Sequence, residues 1–117
     1  MIKLTFEIKE LAEMEWADTR KDLTSKILTK ELAPKNIKIE KMVLTKVEPG
    51  GIFKAHVDNY HHIFYFLTGN GKLMIDNKQY PIKPEIIVTI SAGTPHGYEN
   101  TGKNDLMLIT INFQKVD

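Results

Sequence analysis

The stretch Gly51-Ile52-Phe53-Lys54-Ala55-His56-Val57-Asp58-Asn59-Tyr60-His61-His62-Ile63-Phe64-Tyr65-Phe66-Leu67 decides how this chain is read. It carries three of the chain's four histidines, His56, His61 and His62, beside Asp58. On an extended strand residues two apart project to one face, so His56 and Asp58 point together and Val57 points away. Asn59-Tyr60-His61 then forms a short link into a second strand. There His62, Phe64 and Phe66 share one face, and Ile63, Tyr65 and Leu67 the other. If the first face lines an interior, His62 meets His56 and Asp58 inside it, and His61 points outward.

Away from this stretch the chain from Ile37 onward breaks into short apolar runs: Ile37 to Val47, Ile63 to Leu67, Leu73 to Ile75, Ile86 to Ile90 and Leu106 to Phe113. Turn chemistry separates them, at Pro49-Gly50-Gly51, Thr68-Gly69-Asn70-Gly71, Asp76-Asn77, Ser91-Ala92-Gly93-Thr94-Pro95 and Asn100-Thr101-Gly102. Regular short strands with Gly and Pro turns predict an all-β sandwich, barrel or jelly roll. Gly69 and Gly71 are read as hairpin residues, Asn100 as a turn residue, and Phe53, Phe64, Phe66 and Phe113 mostly as core. Trp16 and Tyr98 are placed at a pocket mouth or an oligomer contact.

The segment from Ile8 to Leu32 admits two readings. Leu11, Met14, Ala17, Ile27 and Leu28 can form one face of an amphipathic helix. Asp18-Thr19 and Leu23-Thr24-Ser25 are weak helix formers, however, and Thr24 to Thr29 reads equally as a strand.

Composition narrows the chemistry. At 117 residues the chain is the size of one domain, taken here as residues 1–117 with a motif-bearing core of about 37–113. Sixteen basic residues, fifteen of them scattered lysines, against fifteen acidic ones give a net charge of +1, too little field to favour nucleic acid. There is no cysteine, so any bound metal is held by nitrogen and oxygen. Met1 to Glu10 is too charged for a signal peptide, and no run approaches the ~20 apolar residues of a membrane helix, so a cytoplasmic location is the expectation.

The fourth histidine, His96, follows the turn Ser91 to Pro95. Taken alone it is an ordinary surface or capping histidine, and Asp58 taken alone is equally an Asx-turn residue. Together, three imidazoles and one carboxylate suit one divalent transition metal ion: iron, manganese, nickel, copper or zinc.

The segment from Gly50 to Asn100 resembles the cupins, small double-stranded β-helix proteins carrying two sequence motifs. In the first motif the places of Gly, His-x-His, Glu and Gly are taken by Gly50, His56, Asp58, His62 and Gly69. In the second, Ser91 stands where Pro is usual, Gly93, His96 and Asn100 match, and Glu85 or Ile86 replaces the leading Gly. The second histidine and the glutamate of the first motif are thus Asp58 and His62, a permuted donor set. The resemblance implies a cupin jelly-roll barrel with His56, Asp58, His62 and His96 as metal ligands, and residues up to Trp16 supplying preceding strands. It implies a small-molecule substrate or ligand, dioxygenase or isomerase chemistry, and a homodimer paired through sheet edges. Asp58 becomes a candidate general base if it does not reach the metal. A non-catalytic binding or sensing module with a docking metal, or a closed structural metal site, is the alternative. His56-x-Asp58 with a distant His96 also looks like the facial triad of non-heme iron oxygenases, but a 2-oxoglutarate enzyme usually adds an Arg after the last histidine, and the one arginine here is Arg20.

Overall fold

The computed structural model describes residues 5–18 and 27–116. Among the described residues eleven strands run in chain order: β1 (Phe6–Glu10), β2 (Ala17–Asp18), β3 (Leu28–Thr29), β4 (Ile37–Val47), β5 (Ile52–His56), β6 (His61–Thr68), β7 (Gly71–Ile75), β8 (Lys78–Ile82), β9 (Ile86–Ile90), β10 (His96–Asn100) and β11 (Leu106–Lys115). They form a five-stranded sheet in the order β1-β9-β6-β11-β4, a four-stranded sheet in the order β5-β10-β7-β8 and a two-stranded β2-β3 ribbon, all pairs antiparallel. This is a two-sheet jelly roll, as the strand spacing predicted.

The core forms where the inner faces of the two sheets meet. Phe64 and Phe66 from the centre of the large sheet meet Leu73, Ile75, Tyr98 and Ile82 from the small one, with Val88, Ile90, Leu106 and Leu108 alongside. Each fully buried side chain of this kind is worth roughly 1.5–3 kcal/mol. The alternation along β6 is as expected: Ile63 and Tyr65 leave by the opposite face and pack with Ile87 and Phe113 on the outside of the large sheet, beneath Met14, Leu32 and Ala33. Tyr98 is therefore a core residue, 5% exposed, and not at a pocket mouth, because β10 lies between β5 and β7. Phe53 reverses the other way: β5 is an edge strand, and the ring is 44% exposed.

Between Ile8 and Leu32 the described residues form no α-helix. Polar residues alternate with apolar ones in β1, which pairs with β9; a single 3-10 turn, Leu11–Glu13, follows; and Ala17–Asp18 pairs with Leu28–Thr29. Of the weak helix formers weighed above, Thr19, Leu23, Thr24 and Ser25 lie outside the described residues, as does Arg20. Trp16 is 62% exposed with the Lys30 ammonium 4.4 Å from its ring centroid.

Two turns orient the strands that matter. Asp76 and Asn77 take positive φ angles of 50° and 66°, the hairpin geometry that aligns β7 with β8. β8, not evident from hydrophobicity, carries Pro81, which an edge strand tolerates. At the place of the second motif's leading glycine stands Glu85, with φ of 65°; its N–H donates to the Phe66 carbonyl at 2.7 Å and its carbonyl accepts from Leu11 N–H at 2.8 Å.

Candidate metal centre

β5 and β10 pair with His56 directly opposite His96. The register then slips, so that Tyr98 faces Phe53, and Gly97 lies in the slip. A Cβ at Gly97 would stand 2.5 Å from the Phe53 carbonyl oxygen and 2.8 Å from the Ala55 nitrogen, so only glycine permits this close approach. His62 enters from the inner face of β6. Asp58 does not extend β5 as expected: the strand ends at His56, Val57 turns outward at 58% exposure, and the Asp58 backbone is held by a hydrogen bond from Gly93 N–H to its carbonyl at 2.9 Å. The turn nonetheless sends the carboxylate to the same point.

That point is one atom, Asp58 Oδ2. His62 Nε2 lies 2.8 Å from it, His56 Nε2 2.9 Å and His96 Nε2 3.5 Å. Ligand atoms of His56, Asp58 and His96 all fall within 4.8 Å of one another; His62 joins this group through Asp58. All four predicted residues are brought together. The site is graded from inside outward, with side-chain exposure of 2% at His96, 6% at His62, 18% at Asp58 and 29% at His56.

The other ring nitrogen of each histidine is committed. His56 Nδ1 donates to the Lys54 carbonyl at 3.0 Å, His96 Nδ1 to the Thr94 carbonyl at 2.8 Å, and His62 Nδ1 to Asn112 Oδ1 at 2.9 Å. Those oxygens only accept, so in each neutral ring the proton sits on Nδ1 and Nε2 offers a lone pair to the cluster. Three lone pairs and a carboxylate oxygen facing one another require a positive charge among them, either imidazolium protons or a cation. His96 Nε2 is buried with no hydrogen-bond partner, the sign of a donor atom waiting for an ion. The donor set therefore fits a metal ion.

Electrostatics favour the ligating forms. Burial opposes ionisation of Asp58, but hydrogen bonds and charge from His62 and His56 outweigh it and hold the carboxyl below its usual range. Burial pushes His96 below the ordinary imidazole value, against the pull of its hydrogen bond to the Thr94 carbonyl. Around the cluster Phe53 stacks on the His56 ring at 4.3 Å and 10°, and the Tyr60 ring stands edge-on to His62 at 4.9 Å. Burial, then the Asp58 charge, keep the Tyr60 hydroxyl protonated above its ordinary value. Tyr60 and Asn112 were not expected at the site; the hint in the sequence is Asn112 as a polar residue within the run Leu106 to Phe113.

His61 faces the other way, as predicted. Its ring stacks on Phe113 at 5.1 Å, and its Nδ1 accepts a hydrogen bond from Ala92 N–H at 3.0 Å. Asn100 ties its turn as expected, donating to the carbonyls of Val47 and Asn104 and accepting from Gly102 N–H. Cavities of about 490, 660 and 440 Å³ all border β1, and none is lined by the four clustered residues. No helix among the described residues is long and apolar enough to cross a membrane.

Comparison with known proteins agrees with this fold. The chain is 31% identical over 67 residues to an oxalate-binding protein of Thermotoga maritima and 27% identical over 66 residues to a 5-nitrosalicylic acid 1,2-dioxygenase of Bradyrhizobium. Those matches take in 56% of this chain, but 55% of the first relative and 32% of the second, so the chain spans about half or less of the curated relatives it matches. Among solved structures, a predicted oxalate decarboxylase from Thermotoga maritima superposes with a TM-score of 0.62 at 28% identity, over 66% of this chain and 68% of that one. A salicylate 1,2-dioxygenase from Pseudoaminobacter salicylatoxidans shares the fold at a TM-score of 0.56 and 8% identity, over 61% of this chain and 20% of that one. A cupin domain family model matches residues 43–112, the span from β4 through β11 that contains all four clustered residues. The chain belongs to the cupin domain family.

Proposed function

We propose that His56, Asp58, His62 and His96 hold one divalent transition metal ion, drawn from iron, manganese, nickel, copper and zinc, at which the protein acts on or binds a small organic molecule. The observation that carries this reading is the convergence of three Nε2 atoms on Asp58 Oδ2 while each Nδ1 proton is spent elsewhere. A bound ion would supply a Lewis-acid or redox centre. The chain's own residues orient what approaches: Phe53 covers one face of His56, Tyr60 offers a protonated hydroxyl beside Asp58, and the exposed His56 side is the way in. If Asp58 stays off the ion, it is an ionised carboxylate and a candidate general base, a weak one because its neighbours hold its pKa low. Dioxygenase or isomerase chemistry is our first reading.

A second reading, a binding or sensing module in which the ion only docks the ligand, is favoured by the similarity to a protein named for binding oxalate. We further read residues 1–117 as one cupin domain and as a homodimer. The dimer reading rests on β4, which pairs on one side only, with β11, and exposes Ile39, Met42 and Leu44. An edge of this kind is normally covered or blunted.

Elemental analysis of untagged protein, with parallel reconstitution in each metal, tests the centre. About one equivalent of metal is expected per chain, falling strongly in His56→Ala and His96→Ala and staying near the parent level in His61→Ala. Equal loss in all three, or no metal after reconstitution, removes the proposal. Oxygen uptake or turnover with small acids and phenols separates the enzyme from tight binding without turnover.

A further inference from the structure

The cavity of about 490 Å³ lies on the outer face of the five-stranded sheet, across β6 from the histidine cluster. Because neighbouring residues of a strand face opposite ways, His62 belongs to the cluster and His61 to the cavity wall. The floor is formed by Ile87 and Phe113, both buried, with the half-buried His61 ring stacked on Phe113. Leu32, Ala33 and Pro34 form the opposite wall, and Thr89 and Ser91 add hydroxyls.

The charges at the rim are unbalanced. Of the three lysines there, Lys9 is neutralised by Glu7 at 2.8 Å. Lys35 and Lys115 make no ion pair among the described residues, and the one remaining carboxylate is Glu31. Two uncommitted ammonium groups against one carboxylate leave a single positive charge above an apolar floor. The volume falls within the roughly 300–1,000 Å³ typical of small-ligand sites, and an apolar lining with a few polar groups at its rim is their usual make-up.

We propose that this cavity is a second ligand site, separate from the histidine cluster, that takes a small organic monoanion with an aromatic or branched apolar body, such as an aryl carboxylate. The body rests between the His61 ring and the wall of Leu32, Ala33 and Pro34, above the buried Phe113 and Ile87, and the carboxylate meets Lys35 and Lys115. The proposal does not depend on the metal reading, since none of the four clustered residues lines the cavity.

The test is a titration of the full ¹⁵N-labelled chain with benzoate, followed by backbone amide shifts. Saturable shifts are expected at Ile87, Thr89, Phe113 and Lys115. The double variant Lys35→Ala/Lys115→Ala should keep the parent spectrum elsewhere and weaken binding by about fivefold to tenfold, as two partly exposed charges would. Three outcomes overturn the proposal: no saturation by about 10 mM benzoate, where even weak specific binding would register; shifts confined to His56, Asp58, His62 and His96; or equal affinity in the double variant. The second would place the anion at the histidine cluster instead.

Discussion

His62 Nδ1 donates a hydrogen bond to Asn112 Oδ1 across 2.9 Å, joining residues fifty positions apart in sequence. They sit opposite each other on β6 and β11, at the place where β11 shifts register against β4. The bond fixes the ring so that Nε2 faces Asp58. Partners of this kind typically account for 10- to 100-fold in metal affinity. Asn112→Ala should therefore lower metal affinity by about that factor with the fold intact by circular dichroism, and Asn112→Asp, which still accepts, should restore most of it. Unchanged affinity in Asn112→Ala would mean that packing alone orients His62.

Gly97 sets the distance between the two strands that carry His56 and His96. An added methyl meets backbone atoms of Phe53 and Ala55, which cannot move aside as a side-chain tip would. Gly97→Ala should cost about 1–3 kcal/mol by overpacking and should also lose most of the bound metal. Thermal denaturation and metal content measured on the same sample would show both effects. A stability loss with full metal content would show that the pairing of β5 with β10 is not what places the histidines.

Glu85 occupies a left-handed conformation that a glycine would take without strain. Replacing it should relieve more energy than the extra unfolded-state freedom costs. Glu85→Gly is expected to stabilise the protein by about 0.5–1 kcal/mol. For a domain of this size the melting temperature should rise by about 2–4 °C, with the metal content unchanged. A fall in melting temperature would mean that the side chain of Glu85 contributes more than its backbone loses.

Burial holds the Tyr98 hydroxyl protonated above the ordinary tyrosine value. In the unfolded chain Tyr98 ionises near pH 10. The folded state thus retains a proton that the unfolded state gives up, so stability is full below about pH 10 and falls as pH rises from there toward the folded pKa. Denaturant midpoints between pH 8 and 11 should show this decline, and Tyr98→Phe should flatten it. An equal decline in the variant would assign the loss to other groups.

Much of the site was legible because its logic is local. Alternation along one strand is enough to send His62 inward with Phe64 and His61 outward, whatever the rest of the chain does. The Asp76-Asn77 hairpin is likewise written in two residues. What was not legible depends on what covers what. Phe53 and Tyr98 are both aromatic residues in short strands, yet one lies on an edge strand and the other between two neighbours. Asn112 has a role only because β11 pairs with β6. Asp58 reaches the cluster by a turn pinned to Gly93, a contact thirty-five residues away that no local periodicity encodes. The segment from Ile8 to Leu32 stayed open between two readings because its apolar residues also fit a helical spacing, while pairing with β9 and packing over Phe113 favour extended chain in its described residues.

The strand β6 behaves as a reading frame. Both its neighbours hold it in register over most of its length, and its consecutive histidines are sorted to opposite sides of the sheet by parity alone. A single deleted residue before His62 would exchange the two sides, placing Ile63 at the histidine cluster and sending the His62 imidazole, with Phe64 and Phe66, to the outer layer. Substitutions along this strand change one compartment at a time, whereas a change in length would scramble both. Natural variation in this segment is therefore expected to be in letters and not in spacing.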